Sequence, residues 1–483
     1  MTAGRDRPVM RSPYDLGRGS VPPLPQPARR TRGEGGADGK EASLTKPEAE
    51  AKAKAEVESA RTVCSYCGVG CGILLDIGRN SSTGRRIAKK VSGDRTHPAN
   101  FGRLCTKGAT GPSKASPFAT LLVGNRLLSL PGSQKEVRRF AFDTRGGELA
   151  YEAGDALGVW PANGSGLVAE WLALTGLDPE EIIDLPDGTG IPLGEALRTR
   201  FDRARITPDL LKFVVARAGD RDLRQLLRPD NKGELAKWSW GRQAADVVGA
   251  LPVRASAAER AGVLKRLQPR LYSISSSPLT HPAEVRVTVS VVRYTNGLGR
   301  DRKGVCSPYL ADSADDGPVQ VYVQRSPHFR PPAGSTTPMI MIGPGTGVAP
   351  FIGFLEDSRA RGHTGPNWLF FGEQHGATDF YYREDLEDFV ASGHLNRLDV
   401  AFSRDQRNKV YVQDRMREHG PRLWRWLQDG AHLYVCGDAG RMAKDVDRAL
   451  HEIVAAHGGM DQDAAAACVA QWATDKRYVR DVY

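Results

Sequence analysis

The most informative segment of this 483-residue chain is Met339-Ile-Met-Ile-Gly-Pro-Gly-Thr-Gly-Val-Ala-Pro350. It has the pattern of an apolar strand, a glycine-rich turn and a helix start in immediate succession. Backbone amides at such a helix N-terminus can bind a diphosphate, and glycines let it approach the backbone closely. Taken alone, the same turn could equally join a strand to a helix without any ligand.

The sequence around this segment alternates between apolar strands and helical stretches. Predicted strands are Met339–Gly343, Trp368–Gly372, Arg397–Ser403 and His432–Gly437. Predicted helices are Ala349–Arg361, Tyr382–Ser392, Val410–Glu418 and Gly440–His457. The alternation predicts a doubly wound parallel sheet with helices on both faces, over residues 335–483.

Upstream, residues 117–334 have a different pattern. Strand-like stretches separated by Gly and Pro are Leu121–Leu130, Glu136–Asp143, Leu157–Trp160, Leu271–Ser275, Val285–Tyr294 and Val319–Gln324. Their alternation of apolar and polar residues predicts an antiparallel β-barrel. Residues 165–265 have a helical period, with Pro179 and Pro208 each predicted to open a segment, and form an expected helical insertion. The predicted fold class is therefore α+β and α/β multidomain.

The charge is unevenly distributed along the chain. There are 67 Lys and Arg against 57 Asp and Glu, a net charge of +10. Residues 1–60 carry 11 and 9 of these, residues 61–116 carry 10 and 2, and residues 117–483 carry 46 and 46. A nucleic-acid-binding protein would not confine its basic excess to so short a segment. No apolar run approaches the roughly 18 to 20 residues of a membrane span, so we expect neither a nucleic-acid nor a membrane partner.

The basic segment also contains four of the seven cysteines. Cys64, Cys67, Cys71 and Cys105 have the spacing C-x2-C-x3-C-x33-C, which suits an iron–sulfur cluster, with a zinc site as the alternative. We predict a small domain over residues 59–116, preceded by a disordered tail and linker, 1–58, that is rich in Pro, Gly and charge. The odd cysteine total and the lack of an apolar signal region predict a cytoplasmic protein.

Two groups of motifs in residues 117–483 suit dinucleotide cofactors. Ser403-Arg404 and the stretch Lys409–Gln413 offer cations, hydroxyls and an aromatic face beyond a strand, which favours an adenosine 2′-phosphate and hence NADP. Arg270-Leu-Tyr-Ser273 and Gly304-Val-Cys-Ser307 suit FAD. An Arg can neutralise its diphosphate, a Tyr can stack on the flavin, and a Gly-x-x-Ser turn can bind phosphate oxygens.

Together these motifs resemble the flavoprotein subunits of NADPH-dependent sulfite reductases and, more broadly, the ferredoxin-NADP reductase superfamily. The matching motifs are Arg270–Ser273, Thr288–Ser290 with Tyr294, Gly304–Ser307, Gly343–Phe351, Ser403-Arg404, Lys409–Gln413, Tyr434–Asp438 and Arg480–Tyr483. The resemblance implies an FAD-binding barrel over 117–334 and an NADP-binding domain over 335–483.

The same resemblance implies roles for individual residues. The residues implied to bind FAD are Arg270, Leu271, Tyr272, Ser273, Thr288, Val289, Ser290, Tyr294, Gly304, Val305, Cys306 and Ser307. Those implied to bind NADP are Gly345, Thr346, Gly347, Ser403, Arg404, Lys409, Tyr411, Gln413 and Asp445. Tyr483 would cover the flavin face, and Ser273, Cys436 and Asp481 would surround the hydride path.

The segment from Arg61 to Gly108 is similar to the N-terminal cluster domain of molybdopterin oxidoreductases, especially assimilatory nitrate reductases. The resemblance implies a 4Fe-4S cluster on Cys64, Cys67, Cys71 and Cys105, with Lys107 beside it. The molybdopterin-binding body is missing, and residues 1–116 leave no room for the flavodoxin-like FMN domain of sulfite reductase flavoproteins. We therefore expect the cluster to replace FMN as the electron carrier after FAD.

The expected function is that of an oxidoreductase that moves electrons from NADPH to FAD and through the cluster. The acceptor would be a separate sulfite reductase haemoprotein, or a nitrate or nitrite reductase. Two alternatives stay open from the sequence. One is a diaphorase-like reductase of soluble carriers, and the other is a zinc-stabilised N-terminal docking module without electron transfer.

Overall fold

The computed structural model describes residues 58–63, 72–79, 86–93, 117–146, 149–185, 188–314 and 317–483. Strands β1 (Glu58–Val63), β2 (Gly72–Arg79) and β3 (Arg86–Gly93) form an antiparallel sheet in the order β1-β2-β3. The predicted tail up to residue 57, the four predicted cluster cysteines and Lys107 lie outside the described residues.

The antiparallel region begins with β4 (Phe118–Thr120), β5 (Leu122–Leu127), β6 (Glu136–Asp143) and β7 (Ala156–Trp160). The chain then forms the insertion and afterwards returns to the antiparallel region. The insertion contains two short strand pairs, β8 (Ile182–Asp184) with β9 (Gly190–Pro192) and β10 (Phe201–Asp202) with β11 (Lys265–Arg266). Its helices are α1 (Ser165–Thr175), α2 (Leu193–Thr199), α3 (Pro208–Ala218), α4 (Arg221–Leu226), α5 (Lys232–Ser239), α6 (Ala244–Ala250) and α7 (Ala257–Val263).

Local sequence explains where some of these helices begin. The Thr207 hydroxyl accepts a hydrogen bond from the Leu210 amide at 3.0 Å, and Pro208 occupies the first helical position of α3, as predicted. The expectation that Pro179 opens a helix is wrong. Pro179 lies in a turn before β8, because the β-branched pair Ile182-Ile183 that follows it pairs as a strand with β9.

After the insertion the chain forms β12 (Arg270–Ser273), β13 (Glu284–Val291), β14 (Arg293–Thr295), β15 (Asp301–Lys303), helix α8 (Cys306–Asp312) and β16 (Val319–Gln324). Two antiparallel sheets result, with the orders β12-β7-β16-β4 and β13-β6-β5. Leu121 joins β4 directly to β5, and an antiparallel bridge between Ile274 and Val287 joins the other two edges. The sheets thereby close into a barrel.

The barrel interior follows from the alternation in β13 and β6. Val285, Val287, Val289, Phe140 and Phe142 are all buried and pack in one cluster. The interior is thus filled by apolar side chains, and binding sites must lie at the rim.

The last 145 residues form a parallel sheet of β17 (Met339–Ile342), β18 (Asn367–Glu373), β19 (Arg397–Phe402), β20 (His432–Gly437) and β21 (Tyr478–Val482) in the order β19-β18-β17-β20-β21. The helices are α9 (Ala349–Ala360), α10 (Gly376–Asp379), α11 (Arg383–Ala391), α12 (Val412–Glu418), α13 (Gly420–Gln428), α14 (Met442–Gly458) and α15 (Gln462–Thr474). All strand pairs are parallel.

Strand β17 is buried on both faces. Ile340 and Ile342 pack into the cluster that contains α12 to α15, whereas Met339 and Met341 pack into the cluster that contains α9 and α11. This explains the uninterrupted apolar run in the sequence. The predicted fold class, an antiparallel barrel followed by a doubly wound parallel sheet, is confirmed.

Among the described residues, no helix combines the length and the apolar composition needed to cross a bilayer.

Candidate functional site

A cavity of about 580 Å³ opens at the rim of the barrel, in the size range of small-molecule sites. We call it the barrel cavity. Its lining includes all twelve of the residues predicted to bind FAD, namely Arg270, Leu271, Tyr272, Ser273, Thr288, Val289, Ser290, Tyr294, Gly304, Val305, Cys306 and Ser307. Three separate segments, β12, β13 with β14, and the start of α8, therefore meet at one place.

One cation of the barrel cavity is held by a buried carboxylate. The Arg270 guanidinium lies 3.4 Å from the carboxylate of Asp202, and a second guanidinium nitrogen donates to the Gln268 carbonyl at 2.8 Å. Asp202 is buried and belongs to β10 of the insertion. Because a guanidinium has five N–H donors, Arg270 retains donors for a ligand phosphate.

The wall beside Arg270 is uncharged. Burial raises the pKa of the Cys306 thiol to about 11 and raises the pKa of the Tyr272 phenol well above its usual value. Both groups are therefore protonated at neutral pH. Tyr272 lines the cavity and supplies an aromatic side chain, which an isoalloxazine ring can contact.

The Gly304–Ser307 turn is packed tightly against the end of β13. A Cβ at Gly304 would lie 3.0 Å from the Cβ of Val292, and the Gly304 amide donates to the Val292 carbonyl at 2.8 Å. The Ser307 hydroxyl accepts from the Val292 amide at 3.1 Å. The residues of this cavity fit FAD, because they combine a close backbone approach, an apolar aromatic wall and a cation with free donors.

The insertion contributes residues that sequence reasoning missed. Asp202, Ala204, Arg205, Arg242 and Gln243 all line the barrel cavity. The Arg242 guanidinium is held by stacking at 4.7 Å on the Trp238 ring. No motif in the sequence marks these residues, since they reach the cavity only through the packing of the insertion on the barrel.

A second cavity, of about 290 Å³, lies at the carboxyl ends of β17 and β20. We call it the glycine-turn cavity, and it is lined by Lys135, Val137, Ser290, Pro344, Gly345, Thr346, Gly347, Glu373, Gly437, Asp438 and Tyr483. The chain leaves β17 toward β18 on one side and returns to β20 on the other. The cavity therefore lies at the topological switch point, where open parallel sheets bind their ligands.

The turn that forms this cavity admits only glycine at one position. A Cβ at Gly347 would lie 2.2 Å from the carbonyl oxygen of Cys436. The turn, a 3-10 helix over Gly345–Val348, is thus pressed against the end of β20 before α9 begins. The predicted binding residues Gly345, Thr346 and Gly347 all face the cavity.

The two cavities share a wall made of Ser290, Thr346 and Tyr483. The Tyr483 hydroxyl lies 3.1 Å from the Thr346 hydroxyl, and the Tyr483 amide donates to the Gly437 carbonyl at 3.0 Å. Burial raises the pKa of Tyr483, so the phenol is neutral. Tyr483, which sequence reasoning predicted to cover the flavin, is thus the aromatic residue of the wall that both cavities share.

The other predicted hydride-path residues lie next to this wall. The Ser273 hydroxyl donates to the buried Asp481 carboxylate at 3.1 Å, and Asp481 is the register partner of Cys436 in the pairing of β21 with β20. Ser273 lines the barrel cavity, whereas Cys436 and Asp481 line neither cavity and are buried behind the wall.

The remaining residues predicted to bind NADP lie between the carboxyl end of β19 and the first turn of α12, and on α14. They are Ser403, Arg404, Lys409, Tyr411, Gln413 and Asp445, and none of them lines either cavity. Ser403 and Arg404 follow β19 directly, and Arg404 donates to the side chain of Gln134 at 2.6 Å. Asp445, on α14, forms an ion pair with Arg448 at 3.1 Å.

Comparison with known families identifies three domains in the chain. Residues 57–116 match the molybdopterin oxidoreductase Fe4S4 domain, residues 112–309 the FAD binding domain, and residues 341–448 the oxidoreductase NAD-binding domain. The chain combines these three domains. Domains for the three predicted cofactors, FAD, NAD(P) and an iron–sulfur cluster, are thus confirmed.

Individual relatives are named as components of sulfite reductase. The chain is 43% identical over 378 residues to the sulfite reductase (NADPH) flavoprotein alpha-component of Mannheimia succiniciproducens, covering 78% of this chain and 63% of that protein. It is 44% identical over 372 residues to the protein of the same name from Pectobacterium atrosepticum, covering 77% and 60%. The chain is a homologue of these flavoproteins, as predicted, and spans about three fifths of their length.

Proposed function

We propose that this chain is an NADPH-dependent flavoprotein reductase that delivers electrons, by way of a 4Fe-4S cluster, to a separate reductase of sulfite. Nitrate and nitrite reductases are the alternative acceptors. The observation that carries the proposal is the wall shared by the two cavities. A flavin in the barrel cavity and a nicotinamide in the glycine-turn cavity would meet at this wall, which Ser290, Thr346 and Tyr483 form.

The chain's own residues would hold the two cofactors and orient them. Arg270, with Arg205 and Arg242, would bind the FAD diphosphate region, and Tyr272 would support the ring. Bound FAD would supply the acceptor for a hydride from NADPH. The Ser273 hydroxyl, which donates its proton to the Asp481 carboxylate, would present its oxygen as a hydrogen-bond acceptor at the reacting end. Accurate positioning of the two rings would provide most of the rate enhancement.

The NADP preference belongs to the same proposal. Arg404 and Lys409 are exposed beyond the end of β19, where a 2′-phosphate can reach them without displacing core residues. Arg404 is partly oriented by Gln134 of the barrel. A fork of charge-assisted hydrogen bonds from Arg404 would favour NADP over NAD.

The cluster would be held by Cys64, Cys67, Cys71 and Cys105. The matching Fe4S4 family and the pairing of Val63 with Gly72 support this, because the connection that carries three of the cysteines begins and ends at adjacent backbone positions. In the part of the chain that the structure describes, no group of three or more His, Cys, Asp or Glu side chains could hold a metal.

The acceptor and the location of the protein are inferred from chemistry. The relatives carry the name of an alpha-component of sulfite reductase, which supports a sulfite-reducing haemoprotein as the partner. The basic excess of residues 61–116 would suit an acidic docking face. Among the described residues, Cys306 and Cys468 form no disulfide, which supports a reducing cytoplasm as the proposed location.

An anaerobic titration of the holoprotein with NADPH tests the proposal. We expect bleaching of the flavin absorbance, followed by a low-temperature paramagnetic resonance signal from a reduced cluster and about four irons per chain. A cluster that stays oxidised beside a reduced flavin would contradict the proposed electron path, and one zinc per chain would support a docking module instead.

A matched pair of variants sharpens this test. Cys105→Ser should lower the iron content and abolish electron transfer to the haemoprotein, while NADPH-driven reduction of a two-electron dye continues. Cys468 is a half-buried residue on α15. Cys468→Ser should leave both reactions and the iron content unchanged. Equal loss of both reactions in Cys105→Ser would argue that the segment supports the flavin domain structurally.

A further inference from the structure

One tyrosine of the parallel-sheet domain has a backbone conformation that residues other than glycine rarely adopt. Tyr382, which directly precedes α11, has φ 60° and ψ 26°, in the left-handed region. The Cβ of an L-residue makes this conformation unfavourable. Residues of this kind persist where surrounding contacts hold them, and they concentrate at functional sites. The contacts of the Tyr382 side chain are therefore of interest.

The Tyr382 phenol reaches across to the barrel. Its hydroxyl lies 2.5 Å from the Thr288 hydroxyl on β13, and it donates to the Ser275 hydroxyl, just beyond β12, at 3.4 Å. All three residues are at most 6% exposed. Burial raises the pKa of the phenol, so the hydroxyl keeps its proton and can donate. One hydroxyl of the parallel-sheet domain thus connects two barrel strands.

Those two strands meet where the barrel closes. β12 and β13 belong to different sheets, and the isolated bridge between Ile274 and Val287 joins them. We call residues 274–275 and 286–288 the barrel seam. Because a single bridge joins the strands here, side-chain contacts across the seam help to set its width. Tyr382 makes such a contact on both sides of the seam.

The seam leads directly to the predicted reacting end of the flavin site. Ser273 lies two residues before Ser275, and Ser290 lies two residues after Thr288. Ser273 lines the barrel cavity, and Ser290 belongs to the wall that both cavities share. Thr288 itself lines the barrel cavity. A change in the width of the seam would therefore move residues at the wall where the two cofactors would meet.

A neighbouring contact between the same two domains lacks this connection. The Ser277 amide donates to the Glu356 carboxylate at 2.9 Å, and the Ser277 hydroxyl donates to the Asp357 carboxylate at 2.9 Å. These three residues belong to the lining of neither cavity. The Ser277 contact joins the domains, whereas the Tyr382 contact also touches a residue of the flavin site.

We propose that Tyr382 is a positioning residue for hydride transfer. From the nucleotide-binding domain, its hydroxyl holds Thr288 and Ser275 at the barrel seam and so sets the place of the flavin relative to the glycine turn. The inference rests on the proposed function, because it requires FAD in the barrel cavity and NADPH in the glycine-turn cavity. Tyr382 lines neither cavity, so it would act through Thr288 and not by touching a cofactor.

Tyr382→Phe tests the proposal, since it removes the hydroxyl and keeps the ring. The holoprotein is mixed with NADPH without oxygen, and stopped-flow absorbance follows flavin reduction. A displacement of about 1 Å can lower rates about 100-fold, and the loss of one hydroxyl should shift the seam by less, so we expect the rate at saturating NADPH to fall roughly tenfold. The calorimetric affinity for NADP should change less than about twofold, because binding and positioning are separate effects. The visible circular dichroism of the bound flavin, which reports the surroundings of its ring, should change.

Thr288 provides the partner test. Thr288→Val removes the other hydroxyl and should slow flavin reduction as Tyr382→Phe does, whereas Thr288→Ser should recover most of the rate that Thr288→Val loses. Because both substitutions break the same contact, the double variant should be no slower than the slower single variant. Fully multiplicative losses would show that the two hydroxyls act independently, and this result would overturn the proposal.

Two variants provide controls. Ser277→Ala breaks the neighbouring contact between the domains, and Tyr478→Phe removes a buried phenol hydroxyl that donates to Asp447 at 2.9 Å. Neither should change the rate of flavin reduction or the circular dichroism of the flavin. Flavin content and thermal unfolding show whether each variant is folded.

The outcomes separate the inference from the proposed function. If Ser277→Ala slowed flavin reduction as much as Tyr382→Phe, or if Tyr382→Phe lost its flavin, the Tyr382 hydroxyl would have a structural role only, and the inference would fail. A wild-type holoprotein whose flavin NADPH does not reduce defeats the proposed function. A wild type that is reduced, with Tyr382→Phe equally fast, defeats the inference alone.

Discussion

The barrel cavity and the glycine-turn cavity each hold a cation against a buried carboxylate. In both, the barrel supplies the cation, and the neighbouring region supplies the acid. Arg270 lies 3.4 Å from Asp202 of the insertion, and Lys135 lies 2.5 Å from Glu373 of the parallel sheet. The difference lies in what surrounds the pair. Two further arginines line the barrel cavity, whereas the described residues supply no further cation to the lining of the glycine-turn cavity.

This difference matches two kinds of ligand. A cofactor that stays bound through many turnovers benefits from several cations and from a guanidinium, whose remaining donors can bind phosphate while one side holds the acid. A nucleotide that must leave after each turnover is better served by one ammonium that returns to a nearby carboxylate. Under the proposed function, the barrel cavity would hold the cofactor that stays bound, and the glycine-turn cavity the nucleotide that exchanges.

The largest effect on activity should come from a substitution that distorts the glycine-turn cavity alone. In Gly347→Ala the new Cβ would meet the Cys436 carbonyl oxygen at 2.2 Å, so the turn must move away from β20. A displacement of about 1 Å in a reacting group can lower rates by about 100-fold, and we expect NADPH-dependent flavin reduction to fall by that order. Stopped-flow absorbance measures the rate, and flavin content should stay at the wild-type level.

Gly233→Ala is the matched control for this substitution, because Gly233 lies on α5 with open space around it. It should leave the rate unchanged. A Gly347→Ala protein that loses its flavin together with its NADPH reaction would show that the two cavities do not function as separate sites.

A smaller effect is expected in the barrel cavity. Arg270→Met removes a charge-assisted contact to FAD and leaves Asp202 without its cation, but Arg205 and Arg242 remain in the lining. We expect FAD binding to weaken roughly 30-fold, measured by titrating the apoprotein with FAD and following flavin fluorescence. Arg126→Met, on the exposed side of the barrel, should have no effect. If Arg270→Met lowered the FAD affinity by a larger factor than Gly347→Ala lowers the rate of flavin reduction, the expected order of the two effects would be wrong.

The smallest effect concerns the pH dependence of the barrel cavity. Burial raises the pKa of Cys306 from 9.0 to about 11, so the folded protein retains a thiol proton that the unfolded chain releases. The contribution of the protonated Cys306 thiol to the free energy of unfolding is fully present below pH 9, and it is lost as the pH rises toward 11. Denaturant unfolding at pH 8, 9, 10 and 11 should show a smaller decline in Cys306→Ala than in the wild type. Equal declines would mean that the thiol is not kept protonated by burial.

The sequence predicted the two cavities to different extents. The residues implied for FAD line one cavity because they belong to short motifs in which a turn or a strand end fixes the side chains locally. The glycine turn was equally visible, since its apolar strand and its glycines are consecutive. Lys135, Glu373 and the arginines of the insertion carry no such local signal. They reach the cavities only through packing between segments that are hundreds of residues apart, or through the placement of a whole insertion.

The same distinction applies to the secondary structure. Strands with a strong apolar pattern, such as Glu136–Asp143, were predicted with the observed bounds. Helices α13 and α15 and strand β21 were missed. β21 has charged residues in a five-residue strand, Tyr478–Val482, and it forms because β20 offers a free edge. The predicted strand Val285–Tyr294 is interrupted at Val292, whose backbone instead bonds Gly304 and Ser307.

The loop that joins β5 to β6, residues 128–135, has a consequence for recombining such proteins. A chimaera that exchanges the nucleotide domain at a boundary near residue 335 would take Glu373 and Arg404 from one parent and Lys135 and Gln134 from the other. The chain would fold as two intact domains, yet the site between them would combine halves that had not evolved together. Designers who transplant the nucleotide domain should therefore move residues 128–135 with it, although these residues lie some 200 positions upstream of the junction.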